Sequence, residues 1–303
     1  MVNQDDLKHT VTSLSIELAL GHFDLLPEQT RAQLPPPLPP ERIVTLYGQD
    51  IHYYEAGTGP EVILLHGLGG EAANWTANIG RISENHHVYA LDQIGFGRSA
   101  KPLIEYQIQT FVDFLEAFMR ELMIPKATLI GNSLGGWIAV AFGIQHAHLV
   151  DKLVLLDAGG LAPLGPRSAD LPLDLGRGSV LGTRKVLELI FYRSELVTEE
   201  VVNRDFEHHM RSGDGYARQR TLTGILLINQ FVDEKLGEIK APTLIIWGRN
   251  DRLTALSLGE RFQKGIPGAK LTVLDECAHV PQVEAPEQFN KVVLDFLTRQ
   301  AIS

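Results

Sequence analysis

The feature that most constrains the fold of this chain is a short, uninterrupted apolar run that recurs six times between residues 62 and 274. A strand buried on both faces has this composition, whereas a half-exposed strand alternates apolar and polar residues. Helical patterns separate the runs, and strand–helix alternation is typical of a largely parallel sheet with helices on both faces. The runs are Val62–Leu65, Val88–Leu91, Thr128–Ile130, Leu153–Leu156, Leu244–Trp247 and Leu271–Leu274.

Two further strands precede these runs. Ile43–Leu46 and Ile51–Ala56 flank the turn-forming residues Gly48, Gln49 and Asp50, which is a hairpin signal. The sequence therefore predicts an α/β fold with a mostly parallel, eight-stranded sheet.

The helical patterns differ in how deeply they are expected to be buried. Two of them carry one apolar stripe with a period of 3.6 residues, as helices packed on one side do. The third is apolar nearly all round, which predicts a deeply buried helix. The two amphipathic patterns span Ile108–Leu122 and Phe289–Leu297, and the apolar one spans Leu134–Ile144.

The alternation is broken once, between residues 161 and 236. Glycine and proline cluster first, and apolar helical patterns then follow without strands at Val186–Phe191, Val197–Phe206 and Leu222–Phe231. This indicates a mostly helical cap inserted into the core. The predicted division is a lead-in at 1–42 with a short amphipathic helix and a proline-rich spacer, a core at 43–160 and 237–303, and a cap at 161–236.

Composition excludes several function classes. The formal charge is −10, from 37 acidic and 27 basic residues, which argues against nucleic acid as a partner because phosphate contacts need clustered Lys and Arg. Cys277 is the only cysteine, so a disulfide framework and a thiolate-rich metal site are excluded. No apolar run is long enough for a membrane span. The first residues lack the positive charge of an export signal, so cytoplasm is the default compartment, with a monomer or homodimer expected.

The strongest chemical motif is Gly131-Asn132-Ser133-Leu134-Gly135, a G-x-S-x-G between a predicted strand and the apolar helix. In that context the motif forms a tight turn that lifts the serine hydroxyl above the sheet edge. A serine that merely caps the helix is the alternative. The context favours Ser133 as a nucleophile, which needs a base and a group to orient that base.

Two candidates for those partners follow later strands. Asp251 comes just after Leu244–Trp247 and His279 just after Leu271–Leu274, so both are expected at the same sheet edge as Ser133. His279 would take the serine proton, and Asp251 would hold the imidazole in the right tautomer. Asp157 also follows a core strand and is the rival acid. Ten other histidines compete with His279, but none of them follows the last strand.

Backbone donors must stabilise the oxyanion that forms on attack. The N–H of Leu134, directly after the nucleophile, is one candidate. The N–H of Leu68 is the other, in the glycine-rich loop His66-Gly67-Leu68-Gly69-Gly70 that follows Val62–Leu65. His66 is interpreted as a structural residue that holds this loop.

Gly95-Phe96-Gly97-Arg98-Ser99-Ala100 matches a dinucleotide fingerprint, but a helix must open directly after the strand for that function. Here three residues intervene and Lys101-Pro102 prevents a helix. No Walker motif or metal-binding motif occurs either. The sequence therefore implies neither a cofactor nor a metal.

Taken in order, the landmarks His66–Gly70, Asp92–Ser99, Gly131–Gly136, Gly248–Asp251 and His279 resemble those of α/β-hydrolase-fold enzymes with a helical cap. The resemblance covers about residues 43 to 297. It implies a serine hydrolase with the triad Ser133, Asp251 and His279. A serine nucleophile excludes the branches that use aspartate, namely the haloalkane dehalogenases and epoxide hydrolases.

Within this superfamily, Gly131–Gly136 and the cap stretch Leu187–Arg204 resemble the meta-cleavage-product hydrolases, which split carbon–carbon bonds. Those enzymes typically carry Trp after the catalytic histidine, whereas Val280 follows His279 here. This departure favours a carboxylesterase acting on a small-molecule ester. A carbon–carbon hydrolase, a cofactor-free perhydrolase or hydroxynitrile lyase, and a ligand receptor stay open. Substrate contacts are expected at Gly67, Asn132, Trp137, Arg204 and Val280.

The apolar content of the cap predicts the size of the substrate. A dry roof over Ser133 favours uncharged acyl chains, and a closed cap limits their length, so short to medium acyl esters are expected. The residues expected to form the roof or seal the cap are Leu181, Val186, Leu189, Ile190, Phe191, Val197, Phe206, Ile225, Leu226 and Ile228.

Overall fold

A computed structural model of the protein describes residues 38–162, 178–227 and 230–298. It contains one eight-stranded sheet in the order β1-β2-β4-β3-β5-β6-β7-β8, so the predicted sheet is confirmed. The β1–β2 and β2–β4 pairs are antiparallel and the others are parallel. The strands are β1 Glu41–Leu46, β2 Gln49–Ala56, β3 Glu61–Leu65, β4 His87–Leu91, β5 Ala127–Asn132, β6 Val150–Leu156, β7 Thr243–Gly248 and β8 Lys270–Leu274.

The first hairpin turns one residue earlier than predicted. Leu46 pairs with Gln49, which leaves Tyr47 and Gly48 as the two turn residues, with φ angles of 51° and 75°. Two positive φ angles are what a two-residue type I′ turn requires, and its twist matches that of the strands. Gln49 and Asp50 therefore belong to β2 and not to the turn. The predicted N-terminal helix lies outside the described residues.

The inner strands β3 to β7 are buried on both faces, which explains their continuous apolar runs. In β3, Ile63 and Leu65 belong to one hydrophobic cluster and Val62 and Leu64 to another. Since neighbouring side chains of a strand point to opposite faces, both faces of β3 are covered. The helices of the described residues are α1 Thr76–Ile82, α2 Ile108–Glu121, α3 Leu134–Gln145, α4 Val180–Ile190, α5 Glu199–Ser212, α6 Gly215–Leu227, α7 Leu256–Gly265, α8 Pro281–Glu284 and α9 Pro286–Leu297.

Side chains of α2, α3 and α7 contribute to one cluster, and those of α1 and α9 to the other. The central helix is α3, in which ten of the twelve residues are buried. The sequence predicted this burial from the lack of a polar face. Because α3 begins directly after β5, its N-terminus is fixed at the carboxyl edge of the sheet.

Between β6 and β7, the described part of the chain forms α4, α5, α6 and two short 3-10 helices and contains no strand. A third hydrophobic cluster joins α4 and α5 to Val283 of α8, so apolar side chains seal this insertion onto the core. The exact bounds of the cap, 161–236, stay a prediction because residues 163–177 and 228–229 are outside the described ranges. Among the described residues, no helix has both the length and the apolar content needed to cross a bilayer.

Candidate active site

Ser133 occupies a strained turn between β5 and α3. Its φ and ψ angles are 54° and −112°, a combination that a residue with a side chain rarely adopts. Backbone hydrogen bonds hold this conformation. The N–H of Ser133 donates to the carbonyl of Leu156 at 2.9 Å, and the carbonyl of Ser133 accepts from Gly159 N at 3.0 Å and Trp137 N at 3.1 Å. Such over-determined strain is typical of functional sites.

The glycines of the motif are required by space. A Cβ atom on Gly131 would lie 2.3 Å from the carbonyl oxygen of Gly135, and one on Gly135 would lie 2.2 Å from that of Leu65. Both distances are far below a normal van der Waals contact distance. The G-x-S-x-G pattern therefore lets helix α3 approach strands β3 and β5 closely enough to present Ser133 at the sheet edge.

The structure brings His279 and Asp251 into direct contact. Nδ1 of His279 lies 2.8 Å from Oδ2 of Asp251. The other carboxylate oxygen accepts the N–H groups of Leu253 at 2.7 Å and Thr254 at 2.9 Å, and the Thr254 hydroxyl donates to Oδ2 at 2.5 Å. Burial raises the pKa of Asp251, but His279 and the Thr254 donors outweigh burial and leave this pKa below its usual value. Asp251 is therefore ionised and can orient the imidazole.

Asp157, the rival acid, has a different role. It is fully buried, and its Oδ1 accepts the N–H of Gly248 at 2.9 Å. Burial, together with the charge of Asp251, raises the pKa of Asp157 well above its usual range. Asp157 therefore differs from Asp251, whose pKa is lowered by its partners. The geometry favours Asp251 as the partner of His279.

Asp157, Asp251 and His279 also form the one group in the described ranges whose His, Cys, Asp or Glu ligand atoms could converge on a metal ion, since these atoms lie within 4.8 Å of one another. The 2.8 Å contact between His279 and Asp251 is a normal hydrogen bond. That bond accounts for the close approach of His279 and Asp251.

The glycine-rich loop after β3 is held by His66, as predicted. The N–H of Gln93 donates to Nε2 of His66 at 3.0 Å, so the ring proton is on Nδ1, which donates to the Gly67 carbonyl at 2.7 Å. Burial lowers the pKa of His66, which agrees with a neutral ring. A Cβ atom on Gly67 would lie 3.3 Å from Cβ of Ser133, so this loop lies directly beside the nucleophile.

The positions of Leu68 and Leu134 suit the predicted oxyanion hole. Leu68 lies in this loop and lines the same cavity as Ser133. Leu134 is the first residue of α3, where a backbone N–H has no partner within the helix.

Ser133 and His279 line a cavity of about 110 Å³ between core and cap. Its sides differ in chemistry. The apolar wall consists of Val186, Ile190, Phe191, Leu253, Val280 and Val283. The polar wall consists of Glu71, Asn74, Asp205, His208, His209 and Arg218.

Three of the five residues predicted to contact substrate line this cavity, namely Gly67, Asn132 and Val280. The amide of Asn132 also has a structural role. Its Nδ2 donates to the carbonyl of His279 at 3.0 Å, and its Oδ1 accepts from Gln282 at 3.3 Å. Asn132 thereby fixes the backbone of the histidine loop.

The structure places the other two predicted substrate contacts outside this lining. Trp137 is buried in the core, where its ring stacks on Phe231 with centroids 5.5 Å apart. Arg204 forms an ion pair with Glu200 one turn earlier on α5, and it is not among the residues that line the cavity. Of the predicted roof, Leu181 is 63% exposed.

The polar wall is the part of the site that sequence reasoning missed. The one local signal in the sequence is the His208-His209 doublet, which matches no metal-binding motif. In the structure His208 Nε2 lies 3.4 Å from Glu71 Oε2, and His209 Nδ1 lies 3.3 Å from Asp214 Oδ2. Arg218 Nη2 lies 3.2 Å from the other oxygen of Asp214.

The end of α4 is tied to the loops that carry the acid and the histidine. The N–H of His279 donates to the carbonyl of Ile190 at 3.1 Å. The N–H of Tyr192 donates to Oε2 of Glu284 at 2.6 Å, and Arg252 donates to the carbonyl of Glu188 at 3.1 Å. Hydrogen bonds to the main chain of the cap therefore join it to the loops of the proposed triad.

Comparison with known proteins agrees with this geometry. The sequence profile of the alpha/beta hydrolase fold matches residues 60–286. A 2-hydroxy-6-oxononadienedioate/2-hydroxy-6-oxononatrienedioate hydrolase of Pseudomonas sp. is 32% identical in an alignment of 267 residues that covers 82% of this chain and 92% of the relative. The 2-hydroxy-6-oxo-6-phenylhexa-2,4-dienoate hydrolase of Comamonas testosteroni is 32% identical over 263 residues, with the same coverage.

Solved structures with a similar fold lead to the same family. The meta-cleavage product hydrolase CumD of Pseudomonas fluorescens IP01 is 29% identical, with a TM-score of 0.76 over 84% of this chain and 97% of that one. A bacterial membrane phospholipase A is 28% identical, with a TM-score of 0.74 over 85% of each chain. Similar structures thus include both a meta-cleavage product hydrolase and a phospholipase A.

Proposed function

The chain belongs to the alpha/beta hydrolase fold family, and on that premise we propose that it hydrolyses carboxylic esters of short to medium acyl chain through an acyl-enzyme. The observation that carries this proposal is a cavity lined by both Ser133 and His279, with Asp251 in hydrogen-bond contact with the imidazole.

In this mechanism the Ser133 hydroxyl attacks the ester carbonyl while Nε2 of His279 accepts its proton. The N–H groups of Leu68 and Leu134 stabilise the oxyanion. His279 then protonates the departing alcohol, which leaves the acyl group on Ser133. Water, deprotonated by the same imidazole, releases the acid and regenerates the serine. Asp251 remains ionised throughout and stabilises the imidazolium.

The apolar wall supports the acyl preference. Val186, Ile190 and Phe191 of the cap and Val280 beside the histidine offer hydrocarbon surface to a chain bound at Ser133. Each buried methylene favours binding by about 0.8 kcal/mol until the space is filled. Because the cavity is small and roofed, this gain is expected to stop at medium chain length.

Carbon–carbon bond hydrolysis is the second candidate, and the names of the relatives favour it. Vinylogous diketone substrates would require recognition of a carboxylate or enolate, for which a cavity arginine is suited. Arg204 is paired with Glu200 outside the cavity lining, and the arginine in the cavity, Arg218, already faces Asp214. Val280 in place of the expected tryptophan also favours the ester reaction.

The two candidates are separated by one experiment. Rates would be measured on p-nitrophenyl esters from acetate to palmitate and on a 2-hydroxy-6-oxo-dienoate, with Ser133→Ala as the control for background hydrolysis. We expect a maximum in kcat/KM at short to medium chains and slow turnover of the dienoate. Efficient cleavage of the dienoate with poor ester turnover would establish the carbon–carbon reaction, and a maximum at palmitate would contradict the role of the cap.

A further inference from the structure

Thr254 belongs to none of the sequence motifs and has no task in the catalytic steps above, yet its hydroxyl lies beside both the acid and the base. Its Oγ1 atom is 2.5 Å from Oδ2 of Asp251 and 3.2 Å from Nδ1 of His279. Those two atoms are themselves 2.8 Å apart. The hydroxyl, the carboxylate oxygen and the imidazole nitrogen therefore form a triangle in which every pair is within hydrogen-bond distance.

The single proton of this hydroxyl has two acceptors within reach. Oγ1 also lies 3.2 Å from the carbonyl oxygen of Asp157. A hydrogen bond to an ionised carboxylate is shorter and stronger than one to a neutral carbonyl, and the much shorter contact here is the one with Asp251. The proton therefore goes to Asp251, which leaves the lone pairs of the hydroxyl for the imidazole N–H.

The core of the protein holds Thr254 in place. Nε1 of Trp247, a fully buried side chain, donates to the carbonyl of Thr254 at 2.8 Å. The N–H of Thr254 donates to Oδ1 of Asp251 at 2.9 Å. Because threonine is branched at Cβ, its side chain has few rotamers. A fixed backbone and a stiff side chain thus keep the hydroxyl at the carboxylate before any substrate binds.

The hydroxyl adds what the backbone donors of this loop do not provide. The N–H groups of Leu253 and Thr254 both donate to Oδ1 of Asp251. A carboxylate held at one oxygen can still turn its other oxygen away from the imidazole. The Thr254 hydroxyl holds that second oxygen, Oδ2, which is the one that faces Nδ1 of His279. Fixing Oδ2 directs the Nδ1 proton and leaves Nε2 for the proton of Ser133.

We propose that Thr254 is a positioning residue of this active site, whose hydroxyl holds the second carboxylate oxygen of Asp251 against His279 and so fixes the imidazole for proton transfer. This inference rests on the proposed hydrolysis and adds a fourth side chain to the triad. Thr254 is not among the residues that line the cavity, so it acts through Asp251 and His279 and not on the substrate.

The hydroxyl also has an electrostatic effect, which gives the proposal a second readout. A donor stabilises the charge of a carboxylate, and Thr254 is one of the groups that lower the pKa of Asp251. Without this donor more of the negative charge on Oδ2 is available to the imidazolium, so His279 should lose its proton only at higher pH. The other ionisable groups around this pair are the same in every variant: Asp157, Cys277 and Glu284.

The test compares Thr254→Val, which loses the hydroxyl, with Thr254→Ser, which keeps it. Rates on p-nitrophenyl butyrate would be measured across pH on the full chain. We expect Thr254→Val to lower kcat by about tenfold, the scale of one hydrogen bond to a charged group, with little change in KM. The midpoint of the rising limb of kcat/KM should move to higher pH by about half a unit. Thr254→Ser should keep most of the rate and the wild-type midpoint.

Thr243→Val is the matched control. Thr243 is also buried, and its hydroxyl donates to the carbonyl of Ala241 at 2.9 Å at the start of β7, the opposite end of the strand from Asp251. This variant should leave kcat and the midpoint of the pH profile unchanged. KM and the midpoint do not depend on the folded fraction of a sample, so partial unfolding of a variant does not affect either quantity.

The outcomes are distinct. If the wild type cleaves no p-nitrophenyl ester, the proposed function fails and the inference falls with it. If the wild type is active but Thr254→Val keeps its kcat and its pH midpoint, the inference alone is wrong. A loss of kcat without a shift of the midpoint, or a loss shared by Thr254→Ser or Thr243→Val, would make the hydroxyl a purely structural group and would also overturn the inference.

Discussion

The core side and the cap side of this cavity are built in different ways. On the core side each proposed catalytic group follows a strand within a few residues: Ser133 directly after β5, Asp251 after β7 and His279 after β8. On the cap side, His209 and Arg218 lie within helices α5 and α6. Sheet hydrogen bonds fix the first set, whereas the position of the second depends on how helices pack.

The difference indicates how this molecule divides its tasks. Short tethers to a sheet hold reacting groups to within fractions of an ångström, as bond-making requires. Helices held by apolar contacts can shift, or be replaced, at a smaller cost in free energy. Residues on such helices are therefore suited to selecting the substrate. We therefore expect core substitutions to act on kcat by orders of magnitude and cap substitutions to act on substrate preference by smaller factors.

The largest effect is expected at Ser133. Ser133→Ala should lower kcat by at least ~10³-fold, the scale of removing a triad member, and should abolish labelling by an organophosphonate. Ser133→Gly should be equally inactive but more stable than Ser133→Ala, because glycine tolerates a φ of 54° without strain. Intact-mass analysis and thermal unfolding measure both. Labelling of Ser133→Ala at the wild-type rate would contradict the assignment.

The next effect separates the two buried acids. Asp251→Asn should reduce kcat/KM by about 10³- to 10⁴-fold, because an amide cannot hold the required histidine tautomer. Asp157→Asn should cost about tenfold or less, since the raised pKa of Asp157 disfavours its ionised form and an amide of the same shape can still accept from Gly248. The reverse order of rates would make Asp157 the catalytic acid.

The same division between core and cap explains what the sequence could predict. Strands β3 to β7 and the G-x-S-x-G turn were predictable because burial on both faces and tight glycine contacts leave a strong local pattern. Strands β1 and β2 were predictable from the turn-forming residues between them. Strand ends then placed Asp251 and His279 at one edge. This inference needed only the rule that parallel strands share a carboxyl edge.

The cap residues were harder to predict because their roles depend on helix packing. Arg204 and Arg218 are two arginines on neighbouring helices, and local sequence gives no sign that the second, not the first, lines the cavity. Trp137 follows Ser133 by one helical turn, but its ring packs against Phe231 in the core. The hairpin turn was displaced by one residue because Tyr47, not a typical turn residue, adopts positive φ.

A cap substitution should change preference and not chemistry. Val186→Phe fills part of the apolar wall, so the best p-nitrophenyl ester should become shorter, with a loss of about fourfold in kcat/KM for each methylene that no longer fits. Leu181→Phe is the matched control on the same helix, since Leu181 is mostly exposed. An unchanged chain-length profile in Val186→Phe would show that acyl chains bind elsewhere.

The smallest expected effect concerns Glu284, which connects the cap to the core through hydrogen bonds. Burial raises the pKa of Glu284 from 4.5 to about 7, although its carboxylate accepts the N–H groups of Tyr192 and Ala278 at 2.6 Å and 2.9 Å. Between these pH values the folded protein keeps a proton that the unfolded chain releases, so the contribution of Glu284 to stability is complete below about pH 4.5 and is lost as the pH rises through 7.

Glu284→Gln cannot titrate. Its amide group has one oxygen, so it can accept a hydrogen bond at only one of the two positions that the carboxylate oxygens occupy. The free energy of unfolding of the wild type relative to this variant should therefore be greatest near pH 5 and should shrink by pH 8. Urea unfolding at four pH values measures the difference, in which the other titrating groups cancel. Glu287→Gln, exposed on α9, is the control and should show no such trend. A difference that grows with pH would mean that Glu284 is held in its ionised form, and the cap would then be tied to the core by a charged contact.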